Sequence, residues 1–258
     1  AVVVAIFVSA IVSAIITDGA SAGHFLERSF YGVFGDGDRA LSFFQNTAIL
    51  LCIALAVTPA FKMRFWNIGA EGQVLMGCLG CVVCIQYMGR RINNSLLILI
   101  MFLFSVVFSV AWAVIPAIFK AKWRTNETLF TLMMNYVAMQ LVAICIFVWV
   151  PSGSSVLGSL RYGHFPNIGG ERYILNIIIV AAAVILLFVY FRFSKHGYEL
   201  SVVGESENTA KYVGINVKKV IIRTMVLSGV LCGLAGLLIV GGTSYTVSTN
   251  IVGGRGFT

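Results

Sequence analysis

Charge is what this sequence has least of. Only 11% of its 258 residues are charged, against 59% hydrophobic residues and a mean hydropathy of +0.94. A soluble globular domain carries about 25% charged residues, so the chain lacks the polar surface needed to cover a soluble core. Histidine is scarce as well: there are three, scattered, and no HExxH string accompanies them. An integral-membrane enzyme built on a nucleophile–base pair or a metal is therefore not the expected class. A GxxxxGK[ST] string, which would cradle nucleotide phosphates, is also missing. Segments of about 10 residues with alternating polarity, the mark of a membrane β-barrel, are excluded by continuous apolar runs such as 96–119.

What is there is a series of apolar blocks, each near the roughly 20 residues that cross a bilayer as a helix. Seven can be marked, at 1–17, 42–61, 69–88, 95–119, 127–150, 173–192 and 222–243. The fold class is all-α, a polytopic helical membrane protein. The first block reaches about 26 Å, short of a ~30 Å hydrocarbon core. The other end stops in a glycine-rich loop at Gly254 and Gly256. Residues 1–258 therefore read as a single transmembrane domain, incomplete at both ends.

The formal charge of +8 is distributed at block ends and is no nucleic-acid footprint. Lys62 and Arg64 fall in one loop, and Lys120, Lys122 and Arg124 in another. Arg192, Lys195, Lys211, Lys218, Lys219 and Arg223 lie in or beside a third. Alternating spans put all three on one side, which the positive-inside rule makes cytoplasmic. Loops 18–41, with Asp18, Glu27, Asp36 and Asp38, and 151–172, with a lone His164, then face outward. Arg90 and Arg91 break the rule.

The six cysteines all fall within apolar blocks. Cys78, Cys81 and Cys84 have a metal-like spacing, but no second pair or histidine joins them, and thiols in apolar helices usually pack. Gly229, Gly233 and Gly236 offer a small-residue face for close helix approach.

Residues 65–73, FWNIGAEGQ, interrupt this pattern with Asn67, Glu71, Gln73 and two glycines. Each glycine lowers helix propensity by nearly 1 kcal/mol relative to Ala, and a carboxylate at helix centre costs about 2.5–3.5 kcal/mol. Two readings are open from position alone. One is an interrupted segment whose polar groups face protein or water; the other is a loop whose polar residues cap a helix beginning near Gly72. A second polar insertion, Thr128, Thr131 and Asn135, follows i, i+3, i+7 spacing and shares one helix face, which either joins helices or lines a pathway. In the long basic segment 193–221, Ser206 is a good N-cap and Gly214 a left-handed terminator for a short helix, Glu207–Val213. Ala210 and Val213 would form its apolar edge, with Glu207, Asn208 and Lys211 polar.

Three stretches together carry a resemblance: NIGAEGQ at 67–73, NETLFTLMMNY at 126–136, and GYELSVVGE at 197–205 with AKYVGI at 210–215. From about residue 42 onward the chain resembles the permease subunits of bacterial ABC importers, in the family serving simple sugars, nucleosides and branched-chain amino acids. NIGAEGQ points to the nucleoside and sugar-like branch. The resemblance implies a coupling helix within 193–221, here Ser206, Glu207, Asn208, Ala210, Lys211, Tyr212, Val213 and Gly214, docking on a separate ATPase subunit that holds ATP and magnesium. The Asn-Pro start and Glu-Ala-Ala run common in the family are replaced by Ser206-Glu207 and Asn208-Thr209-Ala210. It further implies a second permease subunit, an extracytoplasmic solute-binding protein, further spans after Thr258, and residence in the bacterial inner membrane. Asn67, Glu71, Gln73, Thr131 and Asn135 are the expected pathway residues, and Asn67, Gln73 and Asn135 suit a neutral, hydroxylated or heterocyclic solute. With neighbours of this kind, 65–73 reads as an interrupted segment and Glu71 as a hydrogen-bond hub. The rival from another class is an ion-coupled secondary carrier using Glu71 as its ion site, although no inverted repeat is evident.

Overall fold

The computed structural model describes residues 2–16, 22–150, 156–168 and 173–257. Asp18, the loop pieces 151–155 and 169–172, and the two terminal residues lie outside the described residues. Helices run in the order α1 (Val2–Ile16), α2 (Ala22–Phe34), α3 (Gly37–Lys62), α4 (Ala70–Met88), α5 (Asn94–Trp123) and α6 (Glu127–Trp149). They continue as α7 (Ile174–Phe193), α8 (Lys195–Glu205), α9 (Glu207–Tyr212) and α10 (Val217–Ile239), which ends in a π-turn at Val240–Ser244. Among the described residues, six helices are long and apolar enough to cross a membrane: α3 to α7, and α10 with its π-turn. These answer to six of the seven expected spans. The seventh, α1, covers 15 residues, about 22 Å.

The chain divides into two compact units, residues 1–47 and 48–258, with the boundary inside α3. In the first, α1 packs on α2. Expected as a loop, 18–41 is instead helical over Ala22–Phe34 and from Gly37 onward. Phe30 and Phe34 stand one turn apart with centroids 5.0 Å from each other, and Phe34 meets Phe43 edge-on at 5.6 Å.

In the second unit, α4, α5 and α10 form the centre. The least apolar span, α4, has mean hydropathy 1.3 and is 78% buried, as is α10 at 2.2, whereas α5 and α7, at 2.7 and 2.9, are 22% buried. Apolar side chains thus face outward and the polar helix is shielded, the ordering that a lipid solvent imposes. Small residues bring the three backbones together. A methyl on Gly233 would lie 2.8 Å from Val106 Cα, and one on Gly236 2.8 Å from the Cys78 amide nitrogen. At this contact Ser105 Oγ donates to the Gly233 carbonyl at 2.6 Å. The cysteines belong to the same packing. All six are free, and Cys52, Cys78 and Cys81 point their thiols at carbonyls of neighbouring helices. No metal-binding group exists among the described residues.

Cationic side chains stand at both ends of this unit. Arg64, Lys120 and the segment Val203–Glu207 line one pocket at one end. Arg90 and residues 157–162 line another, beyond the last turn of α4 and so at the opposite end. There, segment 156–165 folds onto the end of α10: Leu157, Leu160 and Phe165 donate their amides to the carbonyls of Val247, Tyr245 and Gly241. His164, expected as an isolated surface residue, is half-buried against Tyr245, with ring centroids 4.3 Å apart.

Candidate functional site

The break between α3 and α4 is real backbone irregularity inside the protein. Arg64 adopts the left-handed conformation at φ 57°, residues 65–68 are non-helical, and α4 starts at Ala70 behind an N-cap at Gly69. Depth can be counted along the neighbour. Asn135, which binds this break, lies eight residues into α6, about 12 Å from its start. Backbone at that depth needs partners, and α6 supplies them. Asn135 Nδ2 donates to the Ile68 carbonyl at 2.9 Å, and its Oδ1 accepts from the Gly72 amide at 2.9 Å. One turn earlier, Thr131 Oγ1 accepts from the Ile68 amide at 3.3 Å. Asn67 Oδ1 accepts from the Gly69 amide at 3.0 Å. Gly72 allows the approach, since a methyl there would lie 2.8 Å from Asn135 Oδ1.

Behind the break sits a closed ring of three side chains. Asn67 Nδ2 donates to Ser228 Oγ (3.5 Å), Ser228 to Gln73 Oε1 (3.3 Å), and Gln73 Nε2 to Asn67 Oδ1 (3.4 Å). Each group donates once and accepts once around the ring, which ties α10 to the break. Glu71 is 1% exposed. Its Oε1 accepts from the Gly254 amide at 3.0 Å and its Oε2 from the Gly256 amide at 2.8 Å. Gly253 and Gly254 have φ of 66° and 78°, so the amides turn toward the carboxylate in an arrangement that suits an anion. Gly256 lies directly over the Glu71 amide, where a side chain would collide.

The second arrangement lies at the lysine-rich end. Lys120 and Glu127 pair at 2.6 Å across the turn between α5 and α6. α8 begins with Ser194 Oγ accepting from the Gly197 amide at 3.0 Å, and Gly204 abuts the Lys62 carbonyl. α9 is closed at both ends. Ser206 Oγ accepts from the Thr209 amide at 3.3 Å. At the other end the Ile215 amide donates to the Ala210 carbonyl and the Gly214 amide to the Lys211 carbonyl, with Gly214 at φ 83°. That pair of bonds is the Schellman termination. Ala210 is fully buried, but Val213 is 61% exposed and Tyr212 92% exposed. The expected apolar edge of Ala210 with Val213 is therefore corrected: the helix stops at Tyr212, and Val213 turns outward as the C-cap.

His196 joins α7, α8 and α10. The Thr224 hydroxyl donates to the Val220 carbonyl at 2.8 Å, so its oxygen accepts from His196 Nε2 at 3.4 Å. This leaves His196 Nδ1 to accept from the Tyr190 hydroxyl at 2.9 Å. Burial pushes the imidazole below its usual range, opposed by the Val220 carbonyl and Glu199 and reinforced by Arg223.

The structure thus gathers Asn67, Glu71, Gln73, Thr131 and Asn135 around one break, all 0–1% exposed. Their polar side chains are bonded to groups of the chain itself. Ser206 to Gly214 form a separate group at the lysine-rich end. The sequence reading missed Ser228, which directly precedes the small-residue face at Gly229, and the amides of Gly254 and Gly256, which leave no side-chain signature. It also missed α8, whose Gly197 and Gly204 weaken a helical pattern.

The guanosine ABC transporter permease protein NupP of Bacillus subtilis is 30% identical over 215 residues, 80% of this chain and 61% of that protein. The glucose ABC transporter permease protein TsgB13 of Haloferax volcanii is 28% identical over 225 residues, 81% of this chain and 58% of the relative. The nucleoside ABC transporter permease protein NupB of Lactococcus lactis is 24% identical over 226 residues, 82% and 62% of the two chains. The chain therefore spans about three fifths of the length of these relatives. No solved structure matches it. Residues 39–255 match the family described as branched-chain amino acid transport system / permease component. With that match running from α3 through the glycine segment on Glu71, the chain belongs to this family of multi-pass membrane permeases.

Proposed function

We propose that the chain is the membrane-spanning permease subunit of an ATP-driven importer for a small neutral polar solute, a nucleoside or a simple sugar. Relatives named for guanosine, glucose and nucleosides support that solute class. The interior polarity agrees with it: the amides and hydroxyls at the break carry no charge, and the Glu71 carboxylate is engaged by two backbone amides. Asn67, Glu71, Gln73, Thr131 and Asn135 shape the pathway by holding an irregular strand of backbone at membrane depth. The lysine-rich end is cytoplasmic and the protein resides in the bacterial inner membrane, beside a second permease subunit and beneath a solute-binding protein. ATP and magnesium belong to the ATPase subunits.

The observation that carries the coupling assignment is the outward turn of Tyr212 and Val213 from a helix capped at both ends. A six-residue helix is marginal alone, yet α9 is fixed by its caps and by buried Ala210. It presents two large apolar side chains to solvent beside Glu207, Asn208 and Lys211. A rigid knob of this kind suits transmission of a partner's rigid-body movement. The test is ATPase stimulation by loaded binding protein, with solute uptake, in proteoliposomes. Tyr212→Ala with Val213→Ala, and separately Lys211→Ala, are expected to lower both activities several-fold. Normal stimulation and uptake in both variants would sink the coupling role of Ser206 to Gly214.

A further inference from the structure

The positive-inside rule accounts for cations gathering at one end of the spans, but not for two of them converging on one pocket. Where the last turn of α3 meets the end of α7 and the start of α8 lies an open pocket of about 410 Å³. Its walls include Lys62, Phe188, Phe191, Arg192, Tyr198 and Ser201. Among the described residues no carboxylate lines it, and no ion pair holds Lys62 or Arg192. The neighbouring acid on α8, Glu199, stands 3.9 Å from Lys195. Lys62 Nζ lies over the Phe191 ring, 5.5 Å from its centroid, a cation–π contact that keeps the ammonium at the pocket wall.

The pocket opens on the side where lipid lies. α7 is the most apolar of the spans and among the least buried, so its bare face is a lipid face. Phe188 shares that helix face with Arg192, one turn and about 6 Å further into the span, and is 68% exposed. Beside the pocket, Trp66 is 61% exposed and meets Phe61 edge-on at 5.8 Å, while Tyr198 on α8 is 62% exposed. Trp and Tyr in such positions mark the boundary between hydrocarbon and headgroups. The wall therefore changes character along its height, from bare rings within the span to cations and hydroxyls at its edge. The Ser201 hydroxyl donates to the Gly197 carbonyl at 3.1 Å, so its oxygen is left to accept.

We infer that this pocket binds the headgroup of an anionic phospholipid, with an acyl chain running along Phe188 and Phe191. Arg192 meets the phosphate with two parallel N–H donors, and Lys62 adds a compact charge. Ser201 accepts from a headgroup hydroxyl such as that of glycerol. A zwitterionic lipid brings its own cation against Lys62 and Arg192, so the pocket discriminates against it. A free phosphate shares the headgroup's chemistry but gains nothing from the rings at bilayer depth. The site is independent of which solute the permease carries and of coupling through α9.

The test titrates the detergent-purified permease with phosphatidylglycerol, or with phosphatidylcholine of the same acyl chains, and counts bound lipid by native mass spectrometry. Wild type should hold phosphatidylglycerol about tenfold more tightly, as expected when two cations face one anionic headgroup. Lys62→Gln with Arg192→Gln should nearly abolish that preference. Arg90→Gln with Arg91→Gln, at the opposite end, should leave it intact, and both variants should elute as wild type on size exclusion. Phosphatidylglycerol carrying a photoreactive group on its acyl chain should label the wild-type peptide that holds Phe188 and Phe191, a result that needs no variant. Inorganic phosphate at millimolar concentration should leave the bound lipid in place. A preference unchanged without Lys62 and Arg192, or lost equally without Arg90 and Arg91, would overturn the site. So would labelling confined to other peptides, and displacement of the lipid by phosphate would assign the pocket to a free anion instead.

Discussion

At the scale of single residues, the question at the break is where backbone polarity goes when a helix is interrupted within a membrane. Asn135 answers for two groups at once, the Ile68 carbonyl and the Gly72 amide. Asn135→Leu keeps the volume but leaves both without their partner, at about 1–3 kcal/mol for each unsatisfied group. Glu71→Gln is subtler. The amide retains one acceptor but turns a donor toward one of the Gly254 and Gly256 amides, so one bond becomes a donor–donor clash. Both variants are expected to unfold at lower SDS mole fraction than wild type, Asn135→Leu more so, and to lose uptake in step with folded yield. Wild-type stability and uptake in Glu71→Gln would mean that the carboxylate is not a structural hub. The chemistry of these side chains was legible in the sequence because polar groups in apolar runs are costly and so must have partners. Their partners were not, since Gly254 and Gly256 act through main-chain amides that any residue possesses.

At the scale of elements, the sequence read best where one local rule decided the outcome. Ser206 and Gly214 marked the two ends of α9 because a side-chain cap and a left-handed glycine are local devices. α8 was hidden because tertiary contact decides it: Gly204 weakens the helix yet is required where α8 meets the Lys62 carbonyl. α8 also carries His196, and its titration should be visible in stability. The folded imidazole binds protons less readily than the unfolded one, because burial disfavours the charged form and Arg223 opposes it, while Glu199 and the Val220 carbonyl only partly compensate. Below the unfolded value of about 6.5, the unfolded state takes up more protons, so stability falls with falling pH. Above that value both states are neutral and the effect vanishes. Thermal unfolding of the detergent-solubilised protein should therefore show a loss between about pH 7 and 5 that His196→Asn reduces. An identical pH profile in the variant would remove His196 as its source.

At the scale of the whole molecule, polarity accounts for part of the arrangement of spans, although α10, at mean hydropathy 2.2, is as buried as α4. α4 has the lowest hydropathy of the six and is enclosed, and α5 and α7 have the highest and are exposed. That ranking was in the sequence; the helix contacts that enclose α4 were not, because glycine and serine faces say that something approaches without saying what. The enclosure bears on the energy source. A proton- or sodium-driven carrier needs a carboxylate that exchanges its ion with solvent on each side in turn. Glu71, the buried acidic residue among the described residues of the second unit, is 1% exposed and accepts from two backbone amides. Coupling through it would require parting the glycine segment from α4 in every cycle. The proposed coupling to ATP hydrolysis through α9 would require no such step. Uptake by vesicles containing the assembled transporter should consequently persist when a protonophore and a sodium ionophore collapse both gradients, provided ATP is supplied on the α9 side. It should stop when ATP is replaced by a non-hydrolysable analogue under an intact gradient. The reverse pattern would assign transport to an ion gradient and make Glu71 the first residue to re-examine.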